Sequence, residues 1–244
     1  MLTTIAFLCI AAPAEITLRF APPLGTRFTY EQTMDFVDQK DKSKTSMVDK
    51  FDCVVRQKNS RGELVTEMAM TPLMVTLDGQ KVPPPKGIKS FLIKETRSAL
   101  GALILRSEMP TDTFNLTRYA IMTCLMFKKT PVVEGERWRY NISEIEDFGT
   151  PPAIASFRLM EVKPVDKPKT AVLELQYEEI RDKDPMSATG KAEVDIETGI
   201  TTLLDLAVDS APIPGGEEGL QDLHLTWKLV SLKPAAQTTT KKAP

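Results

Sequence analysis

Histidine is almost absent from this sequence, since His224 is the only one in 244 residues. Metal sites and acid–base catalysis near neutral pH depend heavily on histidine, so the chain has little to offer for either. His224 lies between Leu223 and Leu225. This alternation predicts that His224 points to solvent from the polar face of a strand.

Catalytic signatures are missing as well. The sequence has no Gly-x-Ser-x-Gly elbow, no Walker loop and no dinucleotide-type Gly-x-Gly-x-x-Gly. Cysteine and histidine are too few and too scattered for a zinc site. We therefore predict a protein that is not an enzyme, with no catalytic residues, no metal ligands and no cofactor.

Neither sign of charge dominates the chain. Lysine and arginine number 31 and aspartate and glutamate 33, which leaves a net charge of −2. Nucleic-acid-binding surfaces are strongly basic, so this balance predicts no nucleic-acid partner.

An apolar run lies at the N-terminus. Residues 2–12 are mostly apolar, and Ala12-Pro13-Ala14 has the small-x-small form of a signal-peptidase site, although the segment before it has no lysine or arginine. The run is too short to span a bilayer. We predict that residues 1–14 are a signal peptide cleaved after Ala14, that the mature protein is periplasmic or secreted, and that it has no integral membrane span.

Cysteine is scarce in the predicted mature chain. Loss of Cys9 with the signal peptide would leave Cys53 and Cys124. An exported protein could join them in a disulfide, but both lie among apolar residues, where buried free thiols are common. The sequence leaves the two alternatives open.

The sequence does contain a repeated strand-like motif. Gly25-Thr26-Arg27-Phe28-Thr29-Tyr30 and Gly135-Glu136-Arg137-Trp138-Arg139-Tyr140 share the pattern Gly-x-Arg-aromatic-x-Tyr, and each opens a series of hairpin patterns. We interpret residues 15–233 as one β-rich domain of two pseudo-repeats, about 24–130 and 131–233, although two similar strands could also arise by chance. Residues 234–244 lack core-forming side chains, which predicts a disordered tail.

One segment has helical rather than strand spacing. Across residues 113–129, Leu116, Tyr119, Ala120, Thr123 and Phe127 recur with a helical period and form a wide apolar face. Such a face must pack against a sheet or another helix. The predicted fold is therefore mainly β (α+β): a curved antiparallel sheet or half-barrel with one long helix packed on it.

This pattern resembles the periplasmic lipoprotein carriers of the LolA/LolB type, and secreted bacterial families of unknown function that share a β-rich architecture. The resemblance rests on the apparent signal peptide, the opening Gly-x-x-aromatic-x-Tyr strand, the long hairpins and the turn Asp195-Ile196-Glu197-Thr198-Gly199. It implies a curved antiparallel sheet whose concave face is covered by helix, with an apolar cavity between them. No ligand-binding residue is carried over from the family.

The leading functional hypothesis is a non-catalytic protein that binds a lipid-like or other apolar ligand between sheet and helix. The predicted lining consists of aromatic and methionine side chains on the inward faces: Phe28, Tyr30, Met34, Phe36, Met68, Met70, Tyr119, Phe127, Trp138 and Tyr140. The same residues could instead fill a core, which would indicate a structural or interaction module with an envelope protein as partner. A third hypothesis is a carboxylate-based hydrolase using Glu144, Glu146, Asp147, Glu178, Glu179, Asp182 or Asp184, although these acidic clusters are typical of solvated strand ends.

Overall fold

A computed structural model describes residues 15–82, 91–107, 114–145, 150–163, 169–181, 183–212 and 220–235. The predicted signal peptide and most of the predicted tail lie outside these residues. The described elements, in chain order, are β1 (Arg27–Asp38), β2 (Lys44–Lys58), β3 (Leu64–Leu77), β4 (Gln80–Val82), β5 (Phe91–Arg97), β6 (Leu103–Ser107), α1 (Phe114–Met122), β7 (Arg137–Ile142), β8 (Ala153–Lys163), β9 (Thr170–Glu179), β10 (Ser187–Asp195), β11 (Thr201–Pro212) and β12 (Leu220–Lys233).

All twelve described strands form one antiparallel sheet. Its order is β6-β5-β3-β2-β1-β12-β11-β10-β9-β8-β7, with the short β4 paired to β3. The chain therefore begins at the centre, meanders to the edge at β6, crosses to the other edge at β7 and meanders back. We call β1–β6 the N-terminal half-sheet and β7–β12 the C-terminal half-sheet. They join where β1 pairs with β12.

The sheet curves around a single stretch of chain, residues 114–133, which we call the inner segment. At one edge, Phe127 donates its backbone N–H to the carbonyl of Leu100 in the β5–β6 turn. At the other edge, the Trp138 indole and the Tyr140 hydroxyl of β7 donate to the carbonyls of Met126 and Phe127, at 2.7 and 2.6 Å. Because adjacent residues of the inner segment reach both edges, the sheet must bend round them.

The prediction of one long helix is wrong. Helix α1 has nine residues and ends at Met122, where the Thr123 hydroxyl bonds back to the carbonyls of Tyr119 and Ala120. The chain then continues without helix to Lys129 and beyond. Every side chain from Thr117 to Phe127 is buried. The wide apolar face therefore reflects enclosure on all sides rather than a long amphipathic helix, and the fold is nearly all β rather than α+β.

Residues 15–21 form a second stretch of chain inside the curved sheet, which we call the N-terminal segment. Ile16 pairs with Val132 of the inner segment, and the Arg19 guanidinium donates to the carbonyl of Lys128 at 2.8 Å. At its far end, Ala21 donates to the carbonyl of Thr198 in the β10–β11 turn. This segment thus fastens the inner segment to the sheet.

Two hairpin turns carry glycine because main chain lies directly against them. Gly101 and Gly199 have φ of 83° and 69°, a left-handed conformation that favours glycine. A Cβ at Gly101 would overlap the Leu125 carbonyl oxygen of the inner segment, and one at Gly199 would overlap the Arg19 carbonyl oxygen. The β5–β6 turn therefore packs directly against the backbone of the inner segment, and the β10–β11 turn packs against the backbone of the N-terminal segment.

The two Gly-x-Arg-aromatic-x-Tyr motifs occupy different positions in the sheet. Gly25 precedes β1, a twelve-residue strand at the centre, whereas Gly135 precedes β7, a six-residue strand at an edge. Strands β1–β6 and β7–β12 nevertheless run in chain order around the curved sheet. The hypothesis of an internal duplication stays a prediction.

Candidate functional site: the inner face of the sheet

The predicted lining residues all point to the inner side, but most are core. Seven of the ten are buried: Phe28, Tyr30, Phe36, Met68, Tyr119, Phe127 and Trp138. Met34, Met70 and Tyr140 are half-buried and pack on the rim of this core. The set does not form one continuous lining, because the N-terminal strands and β7 lie on opposite sides of the inner segment.

A small cavity lies where four of the predicted residues meet. Phe28, Tyr30, Met68 and Phe127 line it, and its volume is about 40 Å³. That volume holds roughly three water molecules and is far too small for an acyl chain. The prediction of a lipid-sized cavity beneath the helix therefore does not describe this space.

Polar and charged groups also face this cavity. Thr66 Oγ1 and Trp227 Nε1 are buried there and have no hydrogen-bond partner in the described part of the chain. Buried polar atoms of this kind are usually satisfied by ordered water. The cavity is thus a small, partly polar space inside the core.

The cavity borders a buried charge cluster on β5 and β6. Glu95 Oε2 lies 2.8 Å from Arg97 Nη2, and Glu95 Oε1 lies 3.4 Å from Arg106 Nε. Burial alone would raise the pKa of Glu95, but the two guanidinium groups hold that pKa below its usual value. The carboxylate therefore stays ionised in the core. Sequence reasoning missed this cluster, although Glu95 and Arg97 alternate with Ile93 on the inward side of β5.

A second buried ion pair holds helix α1 to the C-terminal half-sheet. Arg118 Nε donates to Glu179 Oε1 at 2.8 Å, and the other guanidinium nitrogen bonds to Oε2. The backbone N–H of Met186 also donates to Glu179 Oε2, at 3.0 Å. Glu179 is buried, so the interpretation of its acidic cluster as solvated charge is wrong for this residue. The alternation of Leu173, Leu175 and Tyr177 along β9 already indicated its inward direction.

A half-buried apolar surface remains on the inner face of the N-terminal half-sheet. Met34, Met47, Met70 and Trp227 occupy four adjacent strands, β1, β2, β3 and β12, and each is half-buried. We call these four residues the methionine patch. Met34 lies directly opposite Met47 in the register of β1 and β2. Sequence reasoning missed Met47 and Trp227, although Met47 continues the inward alternation of β2.

Two polar residues lie within the methionine patch. Gln32 is directly opposite Asp49 on one side and Trp227 on the other. Asp49 is buried, and this burial raises the pKa of its carboxyl from 3.8 to about 6. No described residue makes a hydrogen bond or ion pair with Asp49. The patch therefore combines adaptable apolar side chains with one poorly solvated acid.

Cysteine and histidine take no part in this site. Cys53 and Cys124 are buried free thiols, which resolves the alternatives in favour of unbridged cysteines. His224 projects from the outer face and contacts Asp205 at 2.7 Å, as its alternation predicted. Within the residues that the structure describes, no group of three His, Cys, Asp or Glu side chains could hold a metal ion.

Comparison with known proteins gives structural likenesses only. No protein-family model matches the chain, and no curated protein does. A lipovitellin structure, solved to study its lipid–protein interactions, superposes with a TM-score of 0.55 at 11% identity. The match covers 89% of this chain and 26% of that one, so this chain spans about a quarter of the lipovitellin chain. The likeness shows a shared fold.

A second solved structure is also similar. It is a putative exported protein with a YmcC-like fold from Bacteroides fragilis, which matches at 12% identity over 89% of this chain and 99% of its own, with a TM-score of 0.40. Neither structure is of a LolA/LolB-type carrier, so that resemblance stays a prediction.

Among the described residues no helix combines the length and apolarity needed to cross a membrane.

Proposed function

We propose that this chain is an exported, non-catalytic binding protein that holds a lipid-like ligand against the methionine patch. The single observation that carries the proposal is that these inward apolar side chains are only half-buried, while their neighbours on the same face are buried. Phe36 and Phe51, for example, are 2% and 5% exposed. Apolar side chains left partly accessible inside a curved sheet are suited to an apolar ligand.

The dimensions and chemistry of the patch fit one hydrocarbon chain. Four adjacent strands span roughly 14 Å at the usual strand spacing, which exceeds the width of an acyl chain. Methionine side chains are flexible and polarisable, so they adapt to ligands of irregular shape. Trp227 stacks on Phe51 with ring centroids 5.4 Å apart, which gives the patch one rigid side.

The fold supports the same proposal. Lipovitellin shares it over most of this chain, and lipovitellin is a protein with lipid–protein interactions. The inner segment already fills the space that the resemblance to LolA/LolB-type carriers assigns to a cavity, so the ligand is placed beside the segment rather than beneath it. The periplasmic or secreted location belongs to the proposal and rests on the apparent signal peptide.

Fluorescence quenching tests the proposal directly, because the chain has two tryptophans. In a Trp138→Phe background, Trp227 of the methionine patch is the only tryptophan. Stearic acid brominated on its acyl chain should quench Trp227 at saturable, low concentration. Met34→Gln should weaken this binding by roughly tenfold or more, which is the effect expected from making one ligand-facing apolar side chain polar.

The matched control is Met160→Gln, since Met160 is exposed at 38% on β8, away from the patch. It should bind the brominated acid like the parent. Equal affinities for Met34→Gln and Met160→Gln, or no saturable quenching of Trp227, would contradict the proposal. Mass spectrometry of organic extracts of the protein, purified from its own cells, would then identify the natural ligand class.

The alternative is an interaction module of the envelope, favoured by apolar exposure at the sheet edge. Ile104 and Leu105 on the edge strand β6 are 49% and 52% exposed, and Leu92 on β5 is 42% exposed. Exposed apolar edge strands are prone to pair with another chain. A photo-crosslinking residue at Ile104 should capture one envelope protein if this function is correct, whereas the same residue at Glu31, exposed on β1, should not.

A further inference from the structure

The outer face of the C-terminal half-sheet carries a compact group of arginines near its edge. Arg137 and Arg139 point outward from β7, and Arg158 points outward from β8. Arg137 lies directly opposite Arg158, and Arg139 lies opposite Ser156. Like charges directly opposite each other on neighbouring strands are destabilising. A bound anion would offset this repulsion between the guanidinium groups.

Among the described residues, no anion is paired with these three arginines. None of their guanidinium groups makes a hydrogen bond or ion pair with a described residue. Glu174 is opposite Arg158 in the register of β8 and β9, yet it forms no ion pair with it. The Nε of Arg158 is buried and has no hydrogen-bond partner in the described ranges. A buried, unpaired charged donor is costly, and a bound anion would remove that cost.

These side chains line an open depression. Its volume is about 430 Å³, and its polar lining comprises Arg137, Arg139, Ser156, Arg158, Glu174 and Gln176. The volume accommodates a phosphate group together with a small organic substituent. Ser156 and Gln176 add neutral donors beside the guanidinium groups. The depression lies on the opposite face of the sheet from the methionine patch.

We propose that this depression, the arginine groove, binds a phosphate monoester. Guanidinium groups match the oxygens of a phosphate through paired N–H donors. Three arginines and one glutamate give the groove a net charge of +2, and a phosphate monoester carries about −1.5 to −2 at neutral pH. A monoanionic carboxylate would leave part of that charge unbalanced.

Calorimetric titration with glycerol 3-phosphate and with inorganic phosphate tests the site. Arg158→Gln should lower the affinity at least tenfold, the effect of losing a charge-assisted hydrogen bond of about 1.5 kcal/mol or more. Binding should weaken further as salt rises. The matched control is Arg27→Gln, which removes the same charge from the equivalent position of the other Gly-x-Arg motif, where the arginine is exposed on β1. That variant should bind like the parent.

Vesicles distinguish the two sources of a phosphate monoester. Flotation with phosphatidic acid vesicles, but not with phosphatidylcholine vesicles, and its loss in Arg158→Gln, would assign the group to a lipid headgroup. Titration with the soluble phosphates and no flotation would assign it to a free metabolite. Equal affinities in Arg158→Gln and Arg27→Gln, or no binding of any of these probes, would overturn the inference. Met34→Gln should leave phosphate binding unchanged, so this site and the proposed ligand site fail independently.

Discussion

The inner faces of the two half-sheets differ in what they bury. The C-terminal face is closed and mostly apolar: its inward residues on β8–β11 include Ala155, Leu173, Leu175, Ala192 and Leu206, all 3% exposed or less, and its buried Glu179 is paired with Arg118. The N-terminal face buries the polar side chains of Gln32, Asp49, Thr66 and Glu95 among its apolar ones. It also leaves its methionine patch half-buried.

The two half-sheets therefore have different roles in the fold. The Arg118–Glu179 pair joins helix α1 to the C-terminal face. The C-terminal half-sheet is therefore a closely packed surface against which the inner segment is held. Buried polar groups and flexible side chains make the N-terminal face less rigidly packed. A ligand surface is expected on the face whose packing is incomplete.

The largest loss of stability should come from breaking the buried ion pair between Arg118 and Glu179. Arg118→Met leaves the Glu179 carboxylate buried without its partner, which should cost roughly 3–5 kcal/mol of unfolding free energy. Urea unfolding monitored by circular dichroism measures this loss. The double variant Arg118→Met/Glu179→Gln removes both charges and keeps an acceptor for the Met186 N–H, so it should recover most of the stability.

The matched control lies on the outer face of the N-terminal half-sheet. Arg56 and Glu67 form an ion pair there, with the Arg56 side chain half-exposed. Exposed pairs contribute about 0–1 kcal/mol, so Arg56→Met should be nearly neutral. A similar loss for Arg56→Met and Arg118→Met would mean that helix α1 is not held by its buried pair.

The second-largest loss of stability should come from truncating a core side chain, and it should differ between the two faces. Leu175→Ala on the closed face should cost about 2–5 kcal/mol, the range for a fully buried leucine. Met70→Ala on the methionine patch should cost clearly less, because part of its surface is already in contact with water. Equal losses of unfolding free energy in the two variants would show that the N-terminal face is packed as tightly as the C-terminal face. That result would remove the basis for a ligand surface on the N-terminal face.

Local pattern in the sequence predicted the strands of both halves well. Period-2 alternation in the two Gly-x-Arg-aromatic-x-Tyr motifs located β1 and β7. Pro72 coincides with the irregular register that β3 shows beside Asp49, and Gly101 lies in the turn of the β5–β6 hairpin. These features are local, because side-chain direction along a strand and glycine in a turn depend on neighbouring residues alone.

Features that depend on enclosure could not be predicted in the same way. The inner segment is apolar because sheet surrounds it, and a residue pattern does not distinguish enclosure on all sides from one broad helical face. Glu95 and Glu179 follow the inward alternation of their strands, but a carboxylate is buried only when a partner from a distant part of the chain meets it. The patch, the cavity and the arginine groove likewise depend on which strands become neighbours.

The smallest expected effect is a pH dependence of stability. Its sign differs between Asp49 on the inner face of β2 and Asp52 on the outer face. Burial raises the pKa of Asp49 to about 6, so the folded state binds this proton more tightly than the unfolded chain does. Stability from the neutral carboxyl is therefore complete below about pH 4 and is lost as the pH rises to about 6. Asp49→Asn, which cannot ionise, should be more stable than the parent by about 1–2 kcal/mol above pH 6, and this gain should vanish in acid.

Asp52 on the outer face of β2 provides the opposite case. A hydrogen bond from Lys50 holds its pKa below the usual value, so its contribution is present at neutral pH and is lost as the pH falls through that lowered pKa. Asp52→Asn should therefore be less stable than the parent near neutral pH and match it in acid. Urea unfolding of both variants between about pH 2 and 8 measures the two slopes, since the Asp52 contribution is lost only below about pH 4. If both variants deviated in the same direction, Asp49 would be hydrated like a surface carboxylate, and the N-terminal inner face would be open to water rather than to an apolar ligand.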